Sequence, residues 1–273
     1  MTNDIYVTSW EDLQAKLFHD SWDPAIQRYR SNYVYRGLWN SHFDLSTSLM
    51  RLGGPYAELE AHLLRNFRKY AHSTASPGNS IWNWLAVAQH HGLPTRLLDW
   101  TYSPYVALHF ATAYLRYDVE AVIWAVNYAK AKEQLPAPLK EALVEVGANV
   151  FTPEILEPVC ASLNELKALQ EKEFVLFLEP PSLDERIVHQ FALFAMMSSA
   201  TVSLDAFLEA NPDLYFRIII PAHLRWEIRD KLDQANITER VLFPGLAGLS
   251  DWLRRHYSTR ETTGLGALPN QLP

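Results

Sequence analysis

From Gln89 to Ala113 the chain reads Gln-His-His-Gly-Leu-Pro-Thr-Arg-Leu-Leu-Asp-Trp-Thr-Tyr-Ser-Pro-Tyr-Val-Ala-Leu-His-Phe-Ala-Thr-Ala. A helix over 80–90 is expected to end at Gly92, the residue type that accepts a left-handed cap, with Pro94 blocking its continuation. A second helix is expected after Ser103, an N-cap residue followed by Pro104 at the first helical position. Val106, Ala107, Phe110 and Ala111 give it a core-facing stripe. Between the caps lies a short apolar run, Leu97 and Leu98, carrying Thr95, Arg96, Asp99, Trp100 and Thr101. Polar groups pinned between two helix ends and a buried strand make either a ligand site or a structural ion pair.

Working outward, the pattern mixes α and β in no repeating order. Strands are expected at 33–36, closed by Gly37, and at 45–49, 121–126, 174–178 and 215–220. Helices are expected at 10–18, 56–71, 136–146, from Thr152 to about 171, from Pro221 to about 234, and at 246–256. Residues 188–197 read as a strand or a buried helix. The reading is one α+β domain over 30–257, a lead over 1–29 and a flexible tail over 258–273.

Composition excludes several classes. The 273 residues, 48% apolar, suffice for a full core. No run approaches the roughly 18 apolar residues that span a bilayer. The first dozen residues are polar rather than leader-like, and a lone Cys160 fits a reducing compartment, so the expectation is a cytoplasmic chain without membrane contact. A net charge of −7 argues against non-specific coating of nucleic acid. Arg65, Arg68 and Lys69, and likewise Arg225, Arg229 and Lys231, read as solvated helix faces, with a local basic face as the alternative. The sequence has neither a P-loop nor a dinucleotide-binding glycine motif. His90 and His91 are adjacent rather than three or four apart, so no metal site is expected.

Separate pieces remain. Arg36-Gly37 pairs a rigid cation with a residue lacking a side chain, an arrangement that suits a phosphate or diphosphate, or else an arginine satisfied by a core carboxylate. Arg36 apart, Arg96 and Asp99 offer a cation and an acceptor, or satisfy each other. Thr101 and Ser103 place hydroxyls at a helix N-terminus, although capping alone accounts for Ser103. Glu185, Arg186, His189 and Gln190 follow a Pro-Pro turn.

Tyr35-Arg36-Gly37, the run His90 to Thr101 with Ser103-Pro104 and Ala107-Leu108, Arg186-Ile187 with Gln190 and Phe194, and the closing Leu242-Phe243-Pro244-Gly245-Leu246 together resemble the FRG-domain family, named for a Phe-Arg-Gly triplet. The resemblance extends over roughly residues 30–256. Tyr35 replaces the naming Phe, and Ala192 stands where a Gly is expected after the Gln. The order of motifs is also similar to the ADP-ribosyltransferase superfamily: Arg then Gly on a first strand, then Ser or Thr ahead of a helix like Pro104 to Ala111, then a later acidic position.

That second resemblance implies an ADP-ribosyltransferase-like split β-sheet core with surrounding helices, and NAD as co-substrate. Breaking the nicotinamide–ribose bond passes through an oxocarbenium-like state, which a site stabilises with placed charge. By this resemblance Arg36, Ser103, Glu185 and Gln190 are catalytic, with Glu173 a further competitor for the acidic position. Tyr35, Gly37, His91, Thr95, Arg96, Asp99, Trp100, Thr101 and Tyr105 bind the cofactor, and Trp100, Tyr102 or Tyr105 stacks on the nicotinamide. The implied enzyme is a toxin or phage-defence effector modifying a nucleic acid or protein, with an inhibitory antitoxin as partner. The alternatives are a nucleotide-binding or sensing module without turnover, and an interaction protein in which the motifs are scaffold.

Overall fold

The structure is a computed structural model that describes residues 3–71, 77–114, 118–182 and 184–259. Its strands are β1 (Asp4–Tyr6), β2 (Trp22–Asp23), β3 (Arg28–Tyr29), β4 (Tyr33–Leu38), β5 (Leu97–Thr101), β6 (Ala121–Asn127), β7 (Val175–Leu178), β8 (Ala192–Met197) and β9 (Tyr215–Ile220). Seven of them form one sheet in the order β1-β9-β6-β4-β5-β8-β7, antiparallel except where β1 runs parallel to β9, while β2 and β3 make a separate hairpin. The fold is thus α+β, a mostly antiparallel sheet clothed in helices. β6, Ala-Val-Ile-Trp-Ala-Val-Asn, is buried at every position because both of its faces are covered.

Pairing along the sheet is uneven. β4 pairs with β6 from Tyr33↔Asn127 to Leu38↔Val122, and β5 pairs with β8 from Leu97↔Met196 to Thr101↔Ala192. Between β4 and β5 the register holds at one position, Tyr35↔Thr101. Two hydrogen-bonded blocks therefore meet at a single bridge, and β4 parts from β5 at Arg36.

Helices fill the faces. One face, with Val34, Trp100, Trp124, Phe177 and Leu193, packs under Leu204, Phe207 and Leu208. On the other face, Tyr35, Ile123 and Ile218 meet Leu13 and Leu17 of the Trp10–Leu17 helix, Ala107 and Leu108 of the Pro104–Thr112 helix, and Ile228 and Leu232 of the Arg225–Gln234 helix. Beside them Leu97, Leu176 and Met196 meet Leu64, Trp82 and Leu85. No helix among the described residues is long and apolar enough to cross a membrane.

Local chemistry accounts for most boundaries. The Ile81–His90 helix closes before Gly92, whose φ is 81°. Ser103 caps the Pro104–Thr112 helix, its side chain accepting from Val106 N at 3.3 Å. Residues 45–49 are not a strand: Thr47 caps the short Ser48–Arg51 helix by accepting from Met50 N. The helix expected from Thr152 to 171 breaks into Pro153–Leu156 and Leu163–Ala168, since Pro158 cannot continue the first and Ser162 caps the second. Over 188–197, a short helix (Glu185–His189) precedes β8. The Arg225–Gln234 helix begins after a 3-10 turn (Ala222–Leu224) rather than at Pro221. Its Arg225 and Arg229 are fully buried, so the solvated-face reading fails for both. In the lead, β1 joins the main sheet through β9 and Leu13 and Leu17 join the core. The tail expected over 258–273 lies outside the described residues from 260 onward.

Gly37 has a packing reason. A Cβ built there would sit 1.8 Å from Ala107 O and 2.7 Å from Ala111 N, so the Pro104–Thr112 helix lies directly on the strand. Gly37→Ala is expected to destabilise the fold by about 3 kcal/mol and lower Tm by roughly 6–12 °C. A melt followed by circular dichroism that stays within a degree or two of the parent would contradict this close approach.

Candidate functional site

The parting of β4 from β5 leaves backbone groups without ladder partners, and Arg36 occupies that gap. Its Nη1 donates to Asp99 O at 2.6 Å, bonding across the two strands where the register is lost. Its Nε is buried without a hydrogen-bond partner. Burial pulls the guanidinium pKa down, opposed by the charge of Asp99 and assisted by that of Arg51. The Asp99 carboxylate accepts from Gln89 Nε2 at 3.0 Å, and Gln89 Oε1 accepts from Thr95 Oγ1 at 2.5 Å. Thr95 N donates in turn to Ser48 Oγ at 3.0 Å. Arg36, Gly37 and Asp99 are partly exposed, although Tyr35 and Leu98 beside them are buried. A buried guanidinium head and a partly exposed carboxylate thus lie between two core strands, each held by hydrogen bonds.

Beyond the bridge, Thr101 Oγ1 donates to Gln190 O at 2.7 Å and accepts from Ser103 N at 3.0 Å. The Thr101 hydroxyl thus ties the end of β5 to the turn before β8. Gln190 donates its amide to Leu242 O at 2.9 Å, and Glu185 is exposed in the first turn of its helix, which Asp184 caps. Glu173 accepts from Ser198 Oγ.

Other expected site residues have structural partners. Arg96 pairs with buried Glu60 rather than with Asp99, and its Nη1 donates to Ser198 O at 3.0 Å. The Tyr35 hydroxyl donates to Leu17 O at 3.2 Å. Tyr105 donates to Gln14 Oε1 at 2.5 Å. Trp100 is buried with its ring edge-on to Phe177, the centroids 6.3 Å apart. His91 is exposed, its ring against that of His90, which pairs with Asp184 at 2.7 Å. The fold thus brings Arg36, Gly37, Asp99 and Thr95 to one place, with Thr101 and Ser103 just past the bridge, and leaves His91 and Glu185 at the surface.

Gln89 and Ser48 complete the chain of hydrogen bonds to Asp99. Gln89 stands in the decisive stretch, at the end of the Ile81–His90 helix, where its amide reaches the following strand. Ser48 carries no such local signal.

A buried charge network anchors the helix that presents Ser103. Arg229 Nη1 lies 2.9 Å from His109 Nδ1, and because arginine only donates, the histidine nitrogen accepts and the ring is neutral. Arg229 also pairs with Glu239 at 3.1 Å, and Arg255 bonds both Glu239 and Asp233. Burial and the Arg229 charge push His109 down to about 3. Burial works to raise Glu239, but the Arg255 hydrogen bond and the Arg229 charge outweigh it and hold the carboxyl at about 2.

Residues 31–118 match the model of the FRG domain, a segment that includes β4, the Ile81–His90 helix, β5 and the Pro104–Thr112 helix. No curated protein and no solved structure matches the chain.

The network sets an acid limit. His109 and Glu239 are both depressed on folding, so each contributes stability above its ordinary pKa of 6.5 or 4.5 and loses it as pH falls toward about 3 or 2. Urea midpoints are expected to fall steadily below pH 6.5. His109→Gln should flatten that fall between pH 5.5 and 4.5 by about 1.4 kcal/mol per unit. Equal slopes for the two proteins would contradict a buried neutral histidine.

Proposed function

We propose that the chain is an NAD-using, ADP-ribosyltransferase-like enzyme whose core is the split sheet and whose acceptor is a nucleic acid or a protein. One observation carries the reading: pairing between β4 and β5 ends at Arg36, where a guanidinium whose buried Nε has no partner stands beside a partly exposed Asp99. A dinucleotide needs a fixed cation for its diphosphate, and a guanidinium anchored through one nitrogen presents its remaining donors in a set direction. An oxocarbenium-like ribose needs nearby negative charge that does not have to reorganise. Asp99, oriented by Gln89, is the carboxylate whose charge acts on Arg36. In this reading Arg36 grips phosphate, Asp99 faces the ribose, and Thr101 and Ser103 hold the strand end that frames the sugar.

A second reading, a nucleotide-binding module without turnover, is favoured by one feature. Gln190 already donates its amide to Leu242 O and Glu185 lies at the surface, so neither stands ready at the acidic position.

The test incubates the purified chain with NAD labelled in its adenylate phosphate, together with protein, RNA and DNA acceptors. Label transfer to one acceptor class is expected, reduced about a hundredfold or more in Arg36→Ala. Arg36→Lys, which keeps the charge but loses the fork, separates phosphate grip from folding if Tm stays near the parent value. Binding without transfer would replace the enzyme by the second reading. Neither binding nor transfer would overturn both and leave the motifs as scaffold for an interaction protein.

A further inference from the structure

On the side of the bridge away from Arg36, four segments bring together Tyr102 after β5, Tyr128 after β6, Glu179 after β7 and Phe191 before β8. The Tyr102 hydroxyl donates to Glu179 Oε1 at 2.7 Å. Its ring lies 6.0 Å from that of Tyr128 at an interplanar angle of 86°, and 5.0 Å from that of Phe191 at 54°. The Tyr128 hydroxyl is engaged elsewhere, donating to Ser31 O at 3.3 Å.

Two features of this cluster are not explained by packing. Phe191 is 59% exposed and held at φ 48°, a left-handed conformation that a bulky residue rarely adopts. The backbone fixes it there, since Phe191 N donates to Val188 O and Phe191 O accepts from Tyr102 N. A strained turn therefore holds an apolar ring in water beside the Tyr102 phenol, whose other neighbour is Tyr128. The second feature is Glu179, which is only partly buried and pairs with no basic side chain among the described residues. Burial raises the pKa of both the Tyr102 and Tyr128 phenols, followed by the Glu179 hydrogen bond and charge for Tyr102 and by the Glu179 charge for Tyr128.

We propose that Glu179, Tyr102, Tyr128 and Phe191 form a cup for a guanidinium group, presented by an arginine side chain of a protein partner. An uncompensated carboxylate attracts a cation, and the negative faces of aromatic rings attract it further. The guanidinium suits this cup better than an ammonium because it is flat, weakly hydrated and stacks on rings while donating to a carboxylate. The inference is independent of the NAD reading, because none of the four residues hydrogen-bonds Arg36 or Asp99.

Amide chemical shifts of the full chain are followed while it is titrated with methylguanidinium, tetramethylammonium, urea, and matched peptides bearing Arg or Lys. Methylguanidinium and the Arg peptide are expected to shift the signals around Tyr102, Tyr128 and Phe191, and the neutral isostere urea is not. Glu179→Gln should weaken methylguanidinium about tenfold. Phe191→Gly, which relieves the left-handed backbone and so should not lower Tm, should also weaken it. Equal binding by parent and Glu179→Gln, or by urea and methylguanidinium, would overturn the proposal. Preference for tetramethylammonium would remove the guanidinium, and an Arg peptide no tighter than its Lys counterpart would remove the arginine-bearing partner.

Discussion

The bond from Arg36 Nη1 to Asp99 O is the constraint on which the rest of the site depends. An antiparallel sheet satisfies its backbone through continuous ladders, and an interior strand pair that separates leaves polar groups in need of partners. Here one bridge, Tyr35↔Thr101, holds the two blocks, and an arginine side chain takes the place of a missing backbone donor. That substitution puts a cation where a sheet would otherwise be sealed. The strand can bear it because the Pro104–Thr112 helix presses on Gly37 immediately afterwards and keeps β4 in line with β6.

Around this part of the sheet the structure is braced by charges that are wholly or largely buried. Arg96 and Glu60 tie the Tyr56–Ala71 helix to β5, and Arg229, Glu239, Arg255 and Asp233 tie the last helices to His109. Removing one partner of such a buried pair costs about 3–5 kcal/mol, because the other is left uncompensated. Surface pairs such as Lys231 with Glu227 or Arg254 with Asp251 contribute at most about 1 kcal/mol. The difference locates the frame. It lies under the Pro104–Thr112 helix and behind β5, and the residues proposed to meet a ligand stand between these two braces.

Much of this frame can be read from local chemistry. Ser103-Pro104 and Gly92 announce their helix ends because caps are decided by neighbouring residues, and β6 announces itself by an unbroken apolar run. The split cannot be read that way, because a missing ladder is a property of two strands 60 residues apart. The partner of Arg96 is similarly invisible: Asp99 is its neighbour in sequence, but the two side chains fall on opposite faces of a strand, and Glu60 comes from a distant helix. Arg225 and Arg229 mislead for a further reason. Their spacing suits a solvated face, and it is tertiary partners, among them Glu239, His109 and the carbonyls of Trp39 and Tyr114, that make burying them tolerable. Ala192, which stands where the family resemblance puts a Gly, opens β8 opposite Thr101, and the left-handed residue beside it is Phe191.

The most direct examination of the split is a crystal structure of the chain with ADP-ribose. The account predicts β4 and β5 paired at Tyr35 and Thr101 alone, with the diphosphate in hydrogen-bond reach of the Arg36 guanidinium and the adjoining ribose beside Asp99. Strands zipped together past Arg36, with Gly37 paired to Asp99 and the ligand elsewhere or absent, would contradict it.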